Sequence, residues 1–216
     1  MRDLPFFITD YGVADLILKE IPYKQTAYIR VREAQPGELD RLIGECRSFC
    51  RMAGADRVFA AGHPELDRWP LYTEVISMRG TAWVDWEKLC SLFPVTERTV
   101  TEWRKIYNER MASVHNSATL EARDEKRITE SGGAYFVHED GALLGIGWLE
   151  DTALLAVASV KPGAGEKTMH TLMSLVEGST MSLEVASTNI RARKLYEKLG
   201  FLPVASVSCW YDVTEK

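Results

Sequence analysis

Hydrophobic positions change their period several times along the chain, and each change marks an element. Residues 6–32 alternate as β structure: GVADLILKEIP and QTAYIRVRE flank residues 22–25 (PYKQ), which suit a hairpin turn. From Gln35-Pro36-Gly37-Glu38 the period becomes helical to about Ala53, with Leu39, Leu42, Ile43, Cys46 and Cys50 on one stripe and Gly54 as the stop. Residues 57–61 and 72–79 read as strands around the turn-rich AGHPELDRWPL. A second series starts near Gly80. It holds a short strand at 89–95, a helix opening at 96–99 and carried by Val100, Trp103, Ile106, Tyr107, Met111 and Val114, and a charged helix at 120–129. Gly132-Gly133 breaks that pattern. Strands at 134–138, 143–149 and 153–160 come next, joined at Glu139-Asp140-Gly141 and Glu150-Asp151; Asp-Gly between alternating apolar runs is a strong hairpin signal.

The most patterned stretch is 182–201, SLEVASTNIRARKLYEKLGF. Leu183 and Val185 point one way and Glu184 the other, as on a pleated strand. Thr188 or Asn189 can cap the next helix, because a short polar side chain accepts from a free N–H of the first turn. Ile190, Leu195 and Leu199 lie on or near one face, Gly200 supplies a left-handed close, and Phe201 and Leu202 re-enter the core. Asn189, Ala192, Leu195, Tyr196, Lys198, Gly200 and Phe201 together resemble the C-terminal motif of the GNAT acetyltransferase superfamily, N-x-x-A-x-x-L-Y-x-K-x-G-F, at every fixed position. The element order from residue 89 is strand, two helices, three antiparallel strands, helix, strand, helix, strand, and it matches the GNAT fold independently of the motif. The expected architecture is α/β (α+β): a GNAT fold with a mixed central sheet flanked by helices over 81–216, and an N-terminal α/β extension over 1–80. The stretch GADRVFAAGHPELDRWPLY loosely echoes the end of an acetyltransferase half, but the extension carries no nameable motif.

The resemblance implies an N-acetyltransferase that moves an acetyl group from acetyl-CoA to a primary amine by direct attack. It places the cofactor between two diverging strands, with its pantetheine arm against Ala158, Ser159 and Val160, where unpaired strand groups accept a ligand's amides. One such N–H can polarise the thioester carbonyl. In the family the pyrophosphate rests where a glycine-rich loop opens a helix. Val160-Lys161-Pro162 matches the lead-in, and Gly163, Gly165, Glu166, Lys167, Thr168, Met169 and His170 occupy the loop and first turn. The family's Arg or Gln is absent there. Glycines permit close backbone approach, Glu166 brings a negative charge, and Lys167 is positioned to supply the missing positive one. A P-loop needs glycine directly before the lysine and another five residues earlier; Glu166 and Lys161 stand there instead. The resemblance also implies Asn189 as a pantetheine contact and Tyr196 as the general acid returning a proton to sulfur. Glu150 is the expected base, with Asp151 and Glu184 as further carboxylates.

Composition narrows the rest. At 216 residues and 46% apolar content the chain can bury a real core as one large domain or two small ones. Lys and Arg total 26 against 31 Asp and Glu, a net charge of −5, which is not the basic footprint of a nucleic-acid binder. The acidity favours a cationic acceptor through long-range attraction, either a small-molecule amine or a peptide N-terminus. Cys46 and Cys50 form no C-x-x-C, and with no signal peptide and no bilayer-length apolar run the four cysteines read as reduced thiols of a cytoplasmic protein without membrane contact. His63, His115, His138 and His170 are scattered and show no metal-ligand spacing. Oligomeric state stays open, a homodimer being one option. The alternative to an enzyme is a catalytically silent GNAT-like module, with a drifted phosphate loop, that serves binding or association.

Overall fold

The computed structural model describes residues 6–215 and divides into two compact units, one of residues 6–75 with 206–215 and the other Ile76–Ala205. In the first unit β1 (Phe6–Thr9), β2 (Gly12–Ile17) and β3 (Thr26–Ala34) form an antiparallel meander. The turn expected at 22–25 is a single helical turn, α1 (Ile21–Lys24), with Pro22 near its start and Gln25 closing it at φ 51°. Then α2 (Leu39–Met52) buries Leu39, Leu42, Ile43, Cys46 and Cys50, the stripe read from the sequence, against Ala14, Leu16, Ile29 and Val58. β4 (Arg57–Ala61) returns parallel to β3. A 3-10 turn at Pro64–Arg68 leads into β5 (Leu71–Thr81), which carries the chain into the second unit.

The second unit runs through β6 (Ser91–Pro94), α3 (Val100–Met111) and α4 (Glu125–Ser131) to β7 (Ala134–Glu139), β8 (Ala142–Glu150) and β9 (Ala153–Ser159). β6 to β9 are antiparallel neighbours, and the β7–β8 turn has Asp140 at φ 50° and Gly141 at φ 75°, the paired positive values of a type I′ hairpin. α5 (Gly165–Met173) crosses to β10 (Thr180–Ala186), parallel to β9, and α6 (Ile190–Lys198) leads to β11 (Leu202–Asp212). The end of β11 lies in the first unit, where Tyr211 and Asp212 pair with Ala60 and Phe59 of β4.

β8 decides how closely the layers pack. Ile146 and Trp148 face α3, in a cluster with Val100, Trp103 and Ile128. Gly145 and Gly147 face α5: a Cβ on Gly145 would lie 2.6 Å from Thr168 Oγ1, and one on Gly147 would lie 2.3 Å from Leu172 Cδ1. The two glycines therefore let α5 sit directly on the sheet, with its Met169 and Leu172 in one cluster with Leu183 and Val185 of β10.

One expectation fails at the surface. Leu202 does not re-enter the core but is 67% exposed, and Ile190 is 53% exposed, so the motif's core contacts fall to Leu199 and Phe201, which are fully buried. The larger revision concerns the first unit. Its order of three antiparallel strands, a helix, a strand parallel to the third, a helical turn and a strand repeats the order from β7 to β11. The repeat extends to detail. Pro36-Gly37 precedes α2 with Gly37 at φ 77°, and Pro162-Gly163 precedes α5 with Gly163 at φ 81°. Each third strand carries one extra residue against its second strand, Arg32 in β3 and Leu155 in β9. What reads as an extension in the sequence is a second half of the same topology.

Candidate active site

One edge of β9 is satisfied and the other is not. Toward β8 the ladder runs from Glu150↔Ala153 to Gly145↔Ser159, and the Val160 N–H extends it onto the Leu144 carbonyl at 2.7 Å. Toward β10 the pairing holds Ala153 to Ser182 and Leu154 to Leu183 and then ends. The end coincides with the bulge at Leu155, and a bulge bends its strand and re-aims the residues beyond it. Past that point, Ala158 and Ser159 offer a strand edge that β10 does not fill. Strand-spaced donors and acceptors of this kind suit an extended ligand with alternating amides. In the first unit the corresponding strands stay together: β3 pairs with β4 from Thr26↔Arg57 to Arg30↔Ala61, and a Cβ on the next residue, Gly62, would lie 2.4 Å from the Val31 carbonyl.

At the start of α5 the N–H groups of Gly165, Glu166 and Lys167 donate to no carbonyl and to no side chain of the described residues. They are the free first-turn donors at the positive end of a helix. Glu166 does not cap them. Its carboxylate instead accepts from Lys88 Nζ at 2.7 Å and Lys198 Nζ at 2.6 Å. Hydrogen bonds from Lys198 and then Lys88 pull its pKa down to about 2, so it stays charged. Lys88 also pairs with Asp85 at 3.0 Å. The expectation that Lys167 supplies positive charge to the loop does not hold, because Lys167 is ion-paired with Glu139; Lys88 and Lys198 are the cations around Glu166.

Thr168, Met169 and His170 have no exposed surface and face the core rather than the loop. The Thr168 hydroxyl donates to the Ala164 carbonyl at 2.8 Å, and Met169 packs in the cluster over β10. His170 Nδ1 accepts from the Asp85 N–H at 3.3 Å, and its ring meets Trp83 edge-on at 4.7 Å. Burial, and after it the nearby Lys88 charge, lowers the His170 pKa. Gly163 has open space around it, whereas a Cβ on Gly165 would lie 3.2 Å from Leu195 Cδ2, so glycine there lets α6 approach.

Asn189 caps α6, with Oδ1 accepting from the Ala192 N–H at 3.2 Å. Tyr196 projects from α6 into the cluster of Leu183, Val185 and Phe201. Burial raises its pKa to about 12, so the hydroxyl keeps its proton at neutral pH. Glu150 stands apart from all of these. It pairs with Arg127 at 2.9 Å before the start of β9, a strand's length of roughly 20 Å from Ser159 at 3.3 Å per residue. Asp151 shares that turn, and Glu184 is exposed on β10.

Two residues that the sequence pattern does not single out stand beside the β10–α6 turn. The loop after α3 is pinned by Asn108, whose side chain exchanges hydrogen bonds with Leu120 N–H and C=O, both at 2.9 Å. His115 Nδ1 in that loop lies 2.9 Å from Thr188 Oγ1, one residue before Asn189. Asn116 comes next in left-handed conformation at φ 58°, and its side-chain amide is buried with neither Oδ1 nor Nδ2 hydrogen-bonded. A single loop histidine carries no periodic or spacing signal, which is why the sequence pattern is silent about it. Among the described residues, no group of three or more His, Cys, Asp or Glu side chains is placed to hold a metal ion.

No family model matches the chain, and no curated protein matches it in sequence. Solved structures do. A GCN5-related N-acetyltransferase from Kribbella flavida is 13% identical, with 98% of this chain and 90% of that one covered at a TM-score of 0.61. A GCN5-related N-acetyltransferase from Anabaena variabilis is 9% identical, with 95% and 60% covered at 0.63. A tandem GNAT protein from the clavulanic acid biosynthesis pathway is 15% identical, with 95% and 80% covered at 0.54. On these likenesses the chain has the GNAT fold.

Proposed function

We propose that this protein is an N-acetyltransferase that transfers the acetyl group of acetyl-CoA to a primary amine by direct attack. The observation that carries the reading is the separation of β9 from β10 beyond Ala153↔Ser182 and Leu154↔Leu183. Acetyl-CoA supplies an activated acyl group, a thioester carbonyl open to a nucleophile. Ala158 and Ser159 hold the pantetheine arm by strand-like pairing, next to Val160, whose N–H already goes to the Leu144 carbonyl, and Asn189 borders the same opening. Gly163 and Gly165 let the backbone come close to the pyrophosphate, which the free N–H groups of Gly165, Glu166 and Lys167 receive. Tyr196 acts as the acid: buried and protonated, it returns a proton to the departing sulfur. The net charge of −5 draws a cationic amine, of a small molecule or a peptide N-terminus.

Calorimetric or thermal-shift titration with acetyl-CoA tests the reading, because a ligand of the native state raises its stability by about 2.7 kcal/mol at a hundred times Kd. Binding with a concentration-dependent rise in melting temperature is expected. If it binds, Tyr196→Phe should cut turnover roughly a hundredfold while acetyl-CoA affinity stays within about threefold of wild type. Unchanged turnover removes Tyr196 from the mechanism. One observation favours the second reading, a silent module: Glu166 already engages Lys88 and Lys198, so an arriving phosphate meets cations that have a partner. No shift at millimolar acetyl-CoA would decide for that module.

A further inference from the structure

Acetyl-CoA has one end that the pantetheine and pyrophosphate contacts leave without a partner, the adenine ring. We propose that Trp83 is the platform on which that adenine stacks; this rests on the transferase reading above. The segment between β5 and β6 is fastened to α5 along its length. The Asp85 N–H donates to His170 Nδ1 at 3.3 Å, Lys88 Nζ to Glu166 at 2.7 Å, and the Cys90 N–H to Thr171 Oγ1 at 3.0 Å. Trp83, at the head of this segment, ties it to α6 as well: its Nε1–H donates to the Leu199 carbonyl at 3.2 Å, while its ring meets His170 of α5 edge-on at 4.7 Å.

The indole is therefore fixed in place with its one polar group satisfied, yet 47% of the residue remains exposed. A rigid aromatic surface of this kind suits a planar base, since every base has a face that stacks on an aromatic ring. Its place along α5 fits the ligand. His170 follows Glu166 by four residues, a rise of about 6 Å, so Trp83 stands one turn beyond the N–H groups proposed to receive the pyrophosphate. In a nucleotide one ribose separates the base from its 5′ phosphates, a span of the same order. Lys198, the residue before Leu199, brings a cation to this junction through its pair with Glu166 at 2.6 Å, which suits the phosphates on either side of that ribose.

The test sets two substitutions against two ligands. Trp83→Leu and Trp83→Phe both lose the hydrogen bond to Leu199, but only phenylalanine keeps an aromatic face. Calorimetry should show acetyl-CoA binding weakened about tenfold in Trp83→Leu and within threefold of wild type in Trp83→Phe. 4′-Phosphopantetheine, which lacks the adenosine, should compete with acetyl-CoA equally well for wild type and Trp83→Leu. Acetyl-CoA should also quench tryptophan fluorescence in wild type, and most of that quenching should vanish in Trp83→Phe. Equal loss in the two variants makes Trp83 a structural anchor and overturns the inference. Unchanged acetyl-CoA affinity in Trp83→Leu overturns it too, as does an equal loss of 4′-phosphopantetheine binding. Wild-type protein that binds no acetyl-CoA is a different result and removes the transferase reading itself.

Discussion

Glu166 shows how a residue that looks wrong in the sequence is accommodated in three dimensions. Its charge would repel a phosphate if it stood alone at the mouth of α5, yet two lysines from distant parts of the chain clasp it. The clasp has a pH signature. The folded pKa of about 2 lies below the ordinary value of 4.5, so the stabilisation is fully present above 4.5 and is lost as pH falls through the window toward 2. Glu166→Gln removes that contribution, so its acid-unfolding curve should be flatter than that of wild type between about pH 4.5 and 2; coincident slopes would show that the pairs contribute nothing. The same variant frees Lys88 and Lys198. Acetyl-CoA affinity should then rise by about threefold to tenfold at low salt, and converge with wild type as salt screens the lysines. Weaker binding by the variant would mean that Glu166 organises the site instead of competing for it. No sequence pattern could show this clasp, since Lys88 precedes Glu166 by 78 residues.

Elements are more legible in the sequence than their boundaries, and boundaries more than exposure. The stripe of α2, the I′ hairpin at Asp140-Gly141 and the α6 cap at Asn189 arise from local chemistry, and local chemistry is what a sequence displays. The exposure of Leu202 is hidden because burial depends on which layer covers a strand, and hydrophobicity does not say whether one does. The bulge at Leu155 leaves no mark either, because an extra residue in β9 is defined only by its partners on β8. Gly145 is another site whose importance emerges only in space. An added Cβ would lie 2.6 Å from Thr168 Oγ1 and 2.8 Å from the Ala158 carbonyl, and the second contact is backbone that cannot rotate away. Gly145→Ala should therefore destabilise the protein by about 1–3 kcal/mol in urea unfolding, the usual cost of overpacking. It should also weaken acetyl-CoA binding, because it pushes the end of β9 that the pantetheine arm is proposed to use. Wild-type stability would show that α5 can lift off β8 without cost.

At the scale of the whole molecule the chain reads as two halves of one topology that differ in how far the third and fourth strands stay paired. Both carry the Pro-Gly turn before a helix and the extra residue in the third strand, so both have the device that could part the third and fourth strands. Only the second half parts them. In the first, pairing runs to the end of β4 at Ala61, and a Cβ on Gly62 would lie 2.4 Å from the Val31 carbonyl. The consequence is a stoichiometry. Calorimetry should saturate at one acetyl-CoA per chain, and Gly165→Asp, which puts a carboxylate beside the free N–H groups of α5, should abolish the whole binding signal. A fitted value of two, or a residual site after Gly165→Asp, would mean that β3 and β4 separate in solution and that the first half has kept its opening after all.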